Sequence, residues 1–120
     1  MVKNVLGTVL QTCCADPLTG FYRDGKCNTG LDDHGRHVVC VLVTDEFLRH
    51  QRSTGNDLTT PMPQYGFPGL KPGDGWCVCV EAWKKSFDAG IMAPVRLEAT
   101  HERALEVVTL EMLQRSARVN

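Results

Sequence analysis

The sequence lacks most of what would commit a chain to a membrane, a nucleic acid or an export route. Its longest uninterrupted apolar run, Val38-Val39-Cys40-Val41-Leu42-Val43, is six residues, whereas a membrane-spanning helix needs about 20. There is no basic stripe: 13 Lys and Arg against 14 Asp and Glu leave a formal charge of -1, and the densest basic run is Lys84-Lys85. A dedicated nucleic-acid binder shows the opposite balance. The opening stretch MVKNVLGTVLQTCC is broken by Asn4, Gly7 and Thr8, so it has no continuous apolar core of the signal-peptide kind. The expectation is a cytoplasmic protein with neither a membrane nor a nucleic-acid partner. Internal repeats, linkers and low-complexity segments are absent, and so is any C-x-x-C pair.

What is present points to one domain over residues 1-120, of ordinary globular composition at 42% hydrophobic and 22% charged. His37 to Val43 is β-branched and apolar on both faces, the pattern of a central strand. Thr44 follows as an N-cap, Asp45 and Glu46 suit the first turn of a helix, Phe47 and Leu48 form its buried side, and Gly55 stops it. Trp76 to Val80 reads as a second buried strand, and Ala82 to Ala89 as a helix with Trp83 and Phe87 on one side and Gly90 after it. Pro94 to Glu98 alternates as a half-exposed strand does. Ala104 to Val108 fits either a helix or a strand, with a short strand the preferred reading. Thr109 caps a last helix, with Leu110, Leu113 and Ala117 inward and a frayed end at Asn120. Val2 to Leu10 fits a strand or an extended arm closing the sheet. The fold class is therefore α+β: a small two-layer sandwich, short helices packed on a small sheet, with two long irregular loops.

Those loops carry the candidate chemistry. Asp16 to His37 is rich in Gly, Asp, Asn and Thr, with Phe21-Tyr22 as its apolar anchor. Asn56 to Trp76 contains Pro61, Pro63, Pro68 and Pro72, four of the 6 prolines, with Tyr65, Phe67 and Leu70 among them, so it is expected to pack over the sheet on the face away from the helices. Loops this long in a small domain are usually functional.

In a reducing compartment the 6 cysteines are expected as buried small hydrophobes, ligands or thiols rather than as disulfides, although an even number also permits bridges. Cys27, His34, His37 and Cys40 have the donor types of a zinc site. Their spacing is poor, and His37 and Cys40 differ by an odd number on a strand, which turns them to opposite faces; no metal and no cofactor is therefore expected. Cys77 and Cys79, two apart on a strand, share a face and read as core filler near Cys40. Cys27, beside Lys26 and near Arg23, is the candidate nucleophile, with His34 or His37 as base and Asp32 or Asp33 to orient it. Asp32, Asp33, Asn56 and Asp57 with Arg23 have the makings of a polar site, though such residues commonly cap turns.

Five motifs in order, TGFYRDGKCNTG, DDHGRHVVC, GNDLTTP, FPGLKPGDGWCVC and LEATHERAL, resemble the bacterial family called domain of unknown function 2237. The resemblance covers nearly the whole chain. It implies a small two-layer α/β domain of the bacterial cytosol and supplies no activity and no catalytic residue. The chain departs from the family pattern at Gly75, where arginine is usual, and at Thr109, where proline is usual.

The leading functional expectation is a domain that binds a small molecule or a protein in a polar cleft between loops 16-37 and 56-76. Its contacts would be Arg23, Asp24, Asp33, His37, Asn56, Asp57 and Trp76. The alternatives are a thiol- or metal-dependent enzyme using Cys27 with His34 or His37, and a structural partner in a larger assembly.

Overall fold

The computed structural model describes residues 1–117; the frayed end expected at Asn120 lies outside them. Two strands, β1 (His37–Leu42) and β2 (Gly75–Cys79), pair antiparallel. The β-branched run of β1 is buried from Val38 to Val41 because both edges of the strand are occupied. On one side lies β2. On the other runs segment 94–101: Leu42 N donates to Pro94 O at 2.8 Å, Arg96 N to Cys40 O at 3.0 Å and His101 N to Val38 O at 2.9 Å.

That flanking segment corrects two expected strands. Pro94 to Glu98 reduces to a single bridge, Val41 to Val95, and the chain then winds into a 3-10 turn over Leu97–Ala99. Proline has no N–H to give a ladder, which shortens the pairing here. Ala104 to Val108 is not a strand either. Glu102–Glu106 forms a 3-10 turn, started by the His101 ring, whose Nδ1 accepts from Arg103 N at 3.0 Å. The amino-terminal arm does close the sheet, as expected. Asn4 bridges to His101, and Val5 N donates to Thr100 O at 3.0 Å. The Asn4 side chain is the knot of that arm. Its oxygen accepts from Leu6 N and Thr8 N, and its amide donates to Thr8 Oγ1, Val9 O and Glu98 O.

Helix α1 (Asp45–Ser53) begins where the sequence places it, with Thr44 Oγ1 accepting from Phe47 N at 3.1 Å. Helix α2 (Val80–Asp88) starts two residues earlier than expected, so that Cys79 is at once the last residue of β2 and the N-cap of α2. Trp83 and Phe87 stack at 5.2 Å. Helix α3 (Leu110–Ala117) is capped by Thr109, whose hydroxyl accepts from Met112 N at 3.2 Å, with Leu113 buried. Among the described residues no helix is long and apolar enough to cross a membrane.

The two faces of the sheet have different cores. Val39 pairs with Val78 and Val41 with Trp76, and these join Phe47, Val80, Trp83 and Leu113 in the larger apolar cluster under the helices. Burying a side chain such as Phe47 contributes about 1.5–3 kcal/mol. Phe67 and Leu70 of the Pro-rich loop belong to this same cluster, with Phe67 edge-on to Trp76 at 5.2 Å. The expectation that this loop covers the opposite face is thereby corrected. The loop ends in a tight turn in which Asp74 N returns to Lys71 O at 3.1 Å.

The opposite face is built from sulfur. Cys40 pairs with Cys77 across the sheet, and both are bonded to the chain ahead of β1: Cys13, just before the polar loop, to Cys40, and Cys27, within the loop, to Cys77, with Cα atoms 5.7 and 5.3 Å apart. With Ala99 these four form a second buried cluster. The expectation of unbridged cysteines is overturned for four of the 6. Cys14 and Cys79 are the free thiols.

Candidate functional site

A cleft of about 530 Å³ runs along the outer edge of β2, whose residues Trp76, Cys77, Val78 and Cys79 form its floor. One wall is the polar loop, through Gly20, Phe21 and Arg23, and His37 stands at its end. The other wall is the Pro-rich loop, through Asn56, Asp57, Leu58, Met62, Tyr65 and Phe67. The polar loop docks on the strand edge because buried Thr19 accepts from Cys77 N at 2.8 Å. Gly20 follows with φ +100, and a Cβ there would collide with Lys26 O, so only glycine fits this approach.

Of the expected contacts, the cleft brings together Arg23, His37, Asn56, Asp57 and Trp76. Arg23, itself at φ +54, bridges the two walls. Its Nη1 donates to Gly20 O at 2.6 Å, its Nη2 to Tyr65 O at 3.3 Å, and the guanidinium lies 5.1 Å from the Trp76 ring centroid. Its Nε is buried and has no partner among the described residues. Arg23 enters none of the ion pairs among those residues. Asn56 donates to Gln51 Oε1 at 2.8 Å, which ties the start of the Pro-rich loop to α1. Asp57 caps its own turn. The Thr60 hydroxyl, then the Thr59 N–H and hydroxyl, hold its carboxyl far below the usual carboxylate range.

Two expected contacts stand outside the cleft. Asp24 is spent locally, accepting from Lys26 N and from Asn28 Nδ2 at 2.7 Å. Asp33 is buried behind His37. Its Oδ1 meets His37 Nδ1 at 2.6 Å, and its Oδ2 accepts from His37 N and Thr29 Oγ1. Burial pushes the Asp33 carboxyl up, but the His37 N–H and imidazole and the Thr29 hydroxyl outweigh it and keep it below its ordinary value. An ionised Asp33 requires the proton on His37 Nδ1, which leaves Nε2 as the free nitrogen of a ring whose side chain is 38% exposed. Phe21 stacks on that ring at 5.9 Å, and Gly35 leaves room for it, since a Cβ there would meet His37 Cε1 at 2.9 Å.

The thiol expectation changes residue. Cys27 is bonded to Cys77 and has no exposure, so it offers no nucleophile. His34 is exposed and does not line the cleft. The ligand set of Cys27, His34, His37 and Cys40 is likewise dismantled, because its two cysteines are in separate disulfides. The parity argument against it also fails. A register shift between His37 and Val39 leaves Val38 unpaired, so His37 faces Cys79 while Cys40 faces Cys77. Cys77 and Cys79 share a face, and so do His37 and Cys40. The shift arises where Arg36, at φ +50, takes both Val38 N and Val80 N on its carbonyl. Sequence reasoning counted Cys79 as core filler; its two-residue spacing from Cys77 was the signal, and its pairing with His37 was hidden.

The geometry defines a class first: a small α+β domain with a mixed polar and aromatic cleft along a strand edge. The family follows from comparison with known proteins. The model of the family described as "Uncharacterized protein conserved in bacteria (DUF2237)" matches residues 3–117, and the chain belongs to it. Among curated proteins no match is found. Thr109 caps α3, and a Cβ at Gly75 would lie 3.0 Å from Cys14 Cβ.

Proposed function

We propose that this protein is a small-ligand binding domain whose ligand, a compact molecule carrying an anionic group, lies in the cleft between loops 16–37 and 56–76. The observation that carries the reading is the meeting of two loops, distant in sequence, around a space of about 530 Å³ with Arg23 on its wall. Small-molecule sites are commonly clefts of about 300–1,000 Å³, mostly apolar with a few convergent polar groups. Here Trp76, Phe67 and Tyr65 supply the apolar surface, and Arg23 supplies a charge without a protein counter-ion among the described residues. Asp57 does not neutralise it, because its oxygens are taken by Thr59 and Thr60. A guanidinium pre-positioned by two carbonyls favours a carboxylate or phosphate.

The test is an NMR screen of small carboxylates and phosphates against ¹⁵N-labelled protein, repeated with Arg23→Gln. Hits are expected to move the Trp76 indole resonance, and the variant to bind anionic hits at least about tenfold more weakly. A library without cleft ligands, or hits indifferent to Arg23, would overturn the proposal.

A further inference from the structure

We propose that the floor of the cleft is a thiol site: Cys79 is a nucleophile, His37 its base and Asp33 the group that positions the base, and the substrate is an activated acyl compound, an ester or thioester. This rests on the cleft reading only for where the substrate sits; the chemistry is carried by Cys79, His37 and Asp33, on which the anion-binding role of Arg23 does not depend.

Cys79 is one of the two free thiols, is partly exposed, and lies in the cleft. Its partner across the sheet is His37. Residues directly opposite on antiparallel strands have Cβ atoms about 4.5–5.5 Å apart, within reach of a thiol and an imidazole. Sγ and the ring share no hydrogen bond in this structure; such contacts commonly tighten only with substrate bound. The ring is fixed three ways: Asp33 holds Nδ1 at 2.6 Å, Phe21 stacks on it, and the His37 N–H is tied to the same carboxylate at 2.9 Å. Nε2 is thereby left as the acceptor. A nucleophile, a base and an orienter in sequence is the arrangement that thiol catalysis requires.

Cys79 is also the N-cap of α2 and caps nothing with its side chain. Val80 N is taken by Arg36 O. The next two N–H groups, of Glu81 and Ala82, belong to the first turn, where a helix provides no acceptor of its own. In the proposed reaction one of them would take the oxygen of an attacked carbonyl.

In the first step the Cys79 thiol proton passes to His37 Nε2 as Sγ bonds to the acyl carbon. The bond to the leaving alcohol or thiol breaks, and that group departs with the proton. In the second, His37 takes a proton from water, the hydroxide displaces sulfur, and the thiol and a free carboxylic acid are formed. No oxidant or reductant enters.

The closing experiment uses the full chain, kept free of reductant, with 4-nitrophenyl acetate as the probe. Acylated peptides are counted by mass spectrometry, and 4-nitrophenol release is followed by absorbance. Cys79 is expected to acylate at least about a hundredfold faster than Cys14, an internal comparison that needs no variant. His37→Gln should lower the Cys79 rate by about 10²–10⁴-fold. Cys14→Ser should leave that rate unchanged. Imidazole ¹⁵N shifts should report a single Nδ1–H tautomer that becomes mixed in Asp33→Ala, a change that loss of packing alone does not produce. Equal rates at Cys79 and Cys14, or an unchanged rate in His37→Gln, would overturn the proposal. Cys79→Ala separates the two readings. If it still binds anionic fragments while wild-type acylation is absent, the binding domain stands and the thiol site falls. Acylation without any fragment binding gives the reverse.

Discussion

Replacing Cys27 and Cys77 together by alanine should cost this domain about 4 kcal/mol. The bridge spans a sequence separation of 50, and closing a loop of that length removes about 14 cal/mol/K from the unfolded chain, or about 4 kcal/mol at 25 °C. The Cys13–Cys40 bridge spans 27, worth about 3.5 kcal/mol on the same relation. Domains of this size are stable by about 5–15 kcal/mol in total, so either bridge is a substantial part of the whole. An unfolding entropy of about 2.1 cal/mol/K per residue, taken over 120 residues, converts the loss into a fall in Tm of about 16 °C. Circular dichroism melts of the double variant and the parent, both without reductant, measure it. Titration of thiols in denaturant, again without reductant, should report only Cys14 and Cys79. All six cysteines titrating, or a fall in Tm below about 4 °C, would refute the reasoning.

Two further outcomes follow from buried polar groups. Asn4→Ala strands the N–H of Leu6 and of Thr8 and the carbonyl of Glu98, and should cost about 3 kcal/mol in urea unfolding; a loss under about 1 kcal/mol would mean that those groups find other partners. Burial holds the His101 imidazole below its ordinary value of 6.5, with Glu102 pushing it up and Arg103 down. The unfolded chain therefore binds the proton first as pH falls. The neutral ring's contribution is complete above about pH 6.5 and declines as pH drops toward the lowered folded value. His101→Gln should flatten that slope, and a stability difference between variant and parent that is the same on both sides of the window would show the ring does not titrate in this way.

Much of the architecture is local and could be read from the sequence. Thr44, Asp45 and Phe47 specify the start of α1 by themselves, and the prolines of segment 56–76 exclude regular structure there. The two loops do line one cleft, with Arg23, Asn56 and Trp76 on it, but Asp24 and Asp57 are consumed by their own turns, so an excess of polar residues was no guide to which of them face it. What was not legible depends on pairing. The unpaired residue at Val38 reverses which face His37 occupies, and nothing in HVVCVLV marks it. The cysteine partners are 27 and 50 residues apart in sequence, and nothing in their spacing marks those pairs. Pro94 to Glu98 alternates as a strand does, yet its neighbour offers it only one bridge.

The two walls of the cleft are anchored unequally. The polar loop is fastened to β2 by its own Cys27–Cys77 bridge, and the chain just ahead of it is fastened to β1 by Cys13–Cys40. The Pro-rich wall is held without a covalent bridge, by the seating of Phe67 and Leu70, by hydrogen bonds such as Asn56 to Gln51 and Gly73 N to Val43 O, and by one guanidinium contact at 3.3 Å to Tyr65. In mechanical terms the cleft has a stiff jaw and a compliant one. The stiff jaw carries Arg23, His37 and Asp33, so the polar geometry keeps its spacing while the aromatic side adjusts to the bulk of whatever enters.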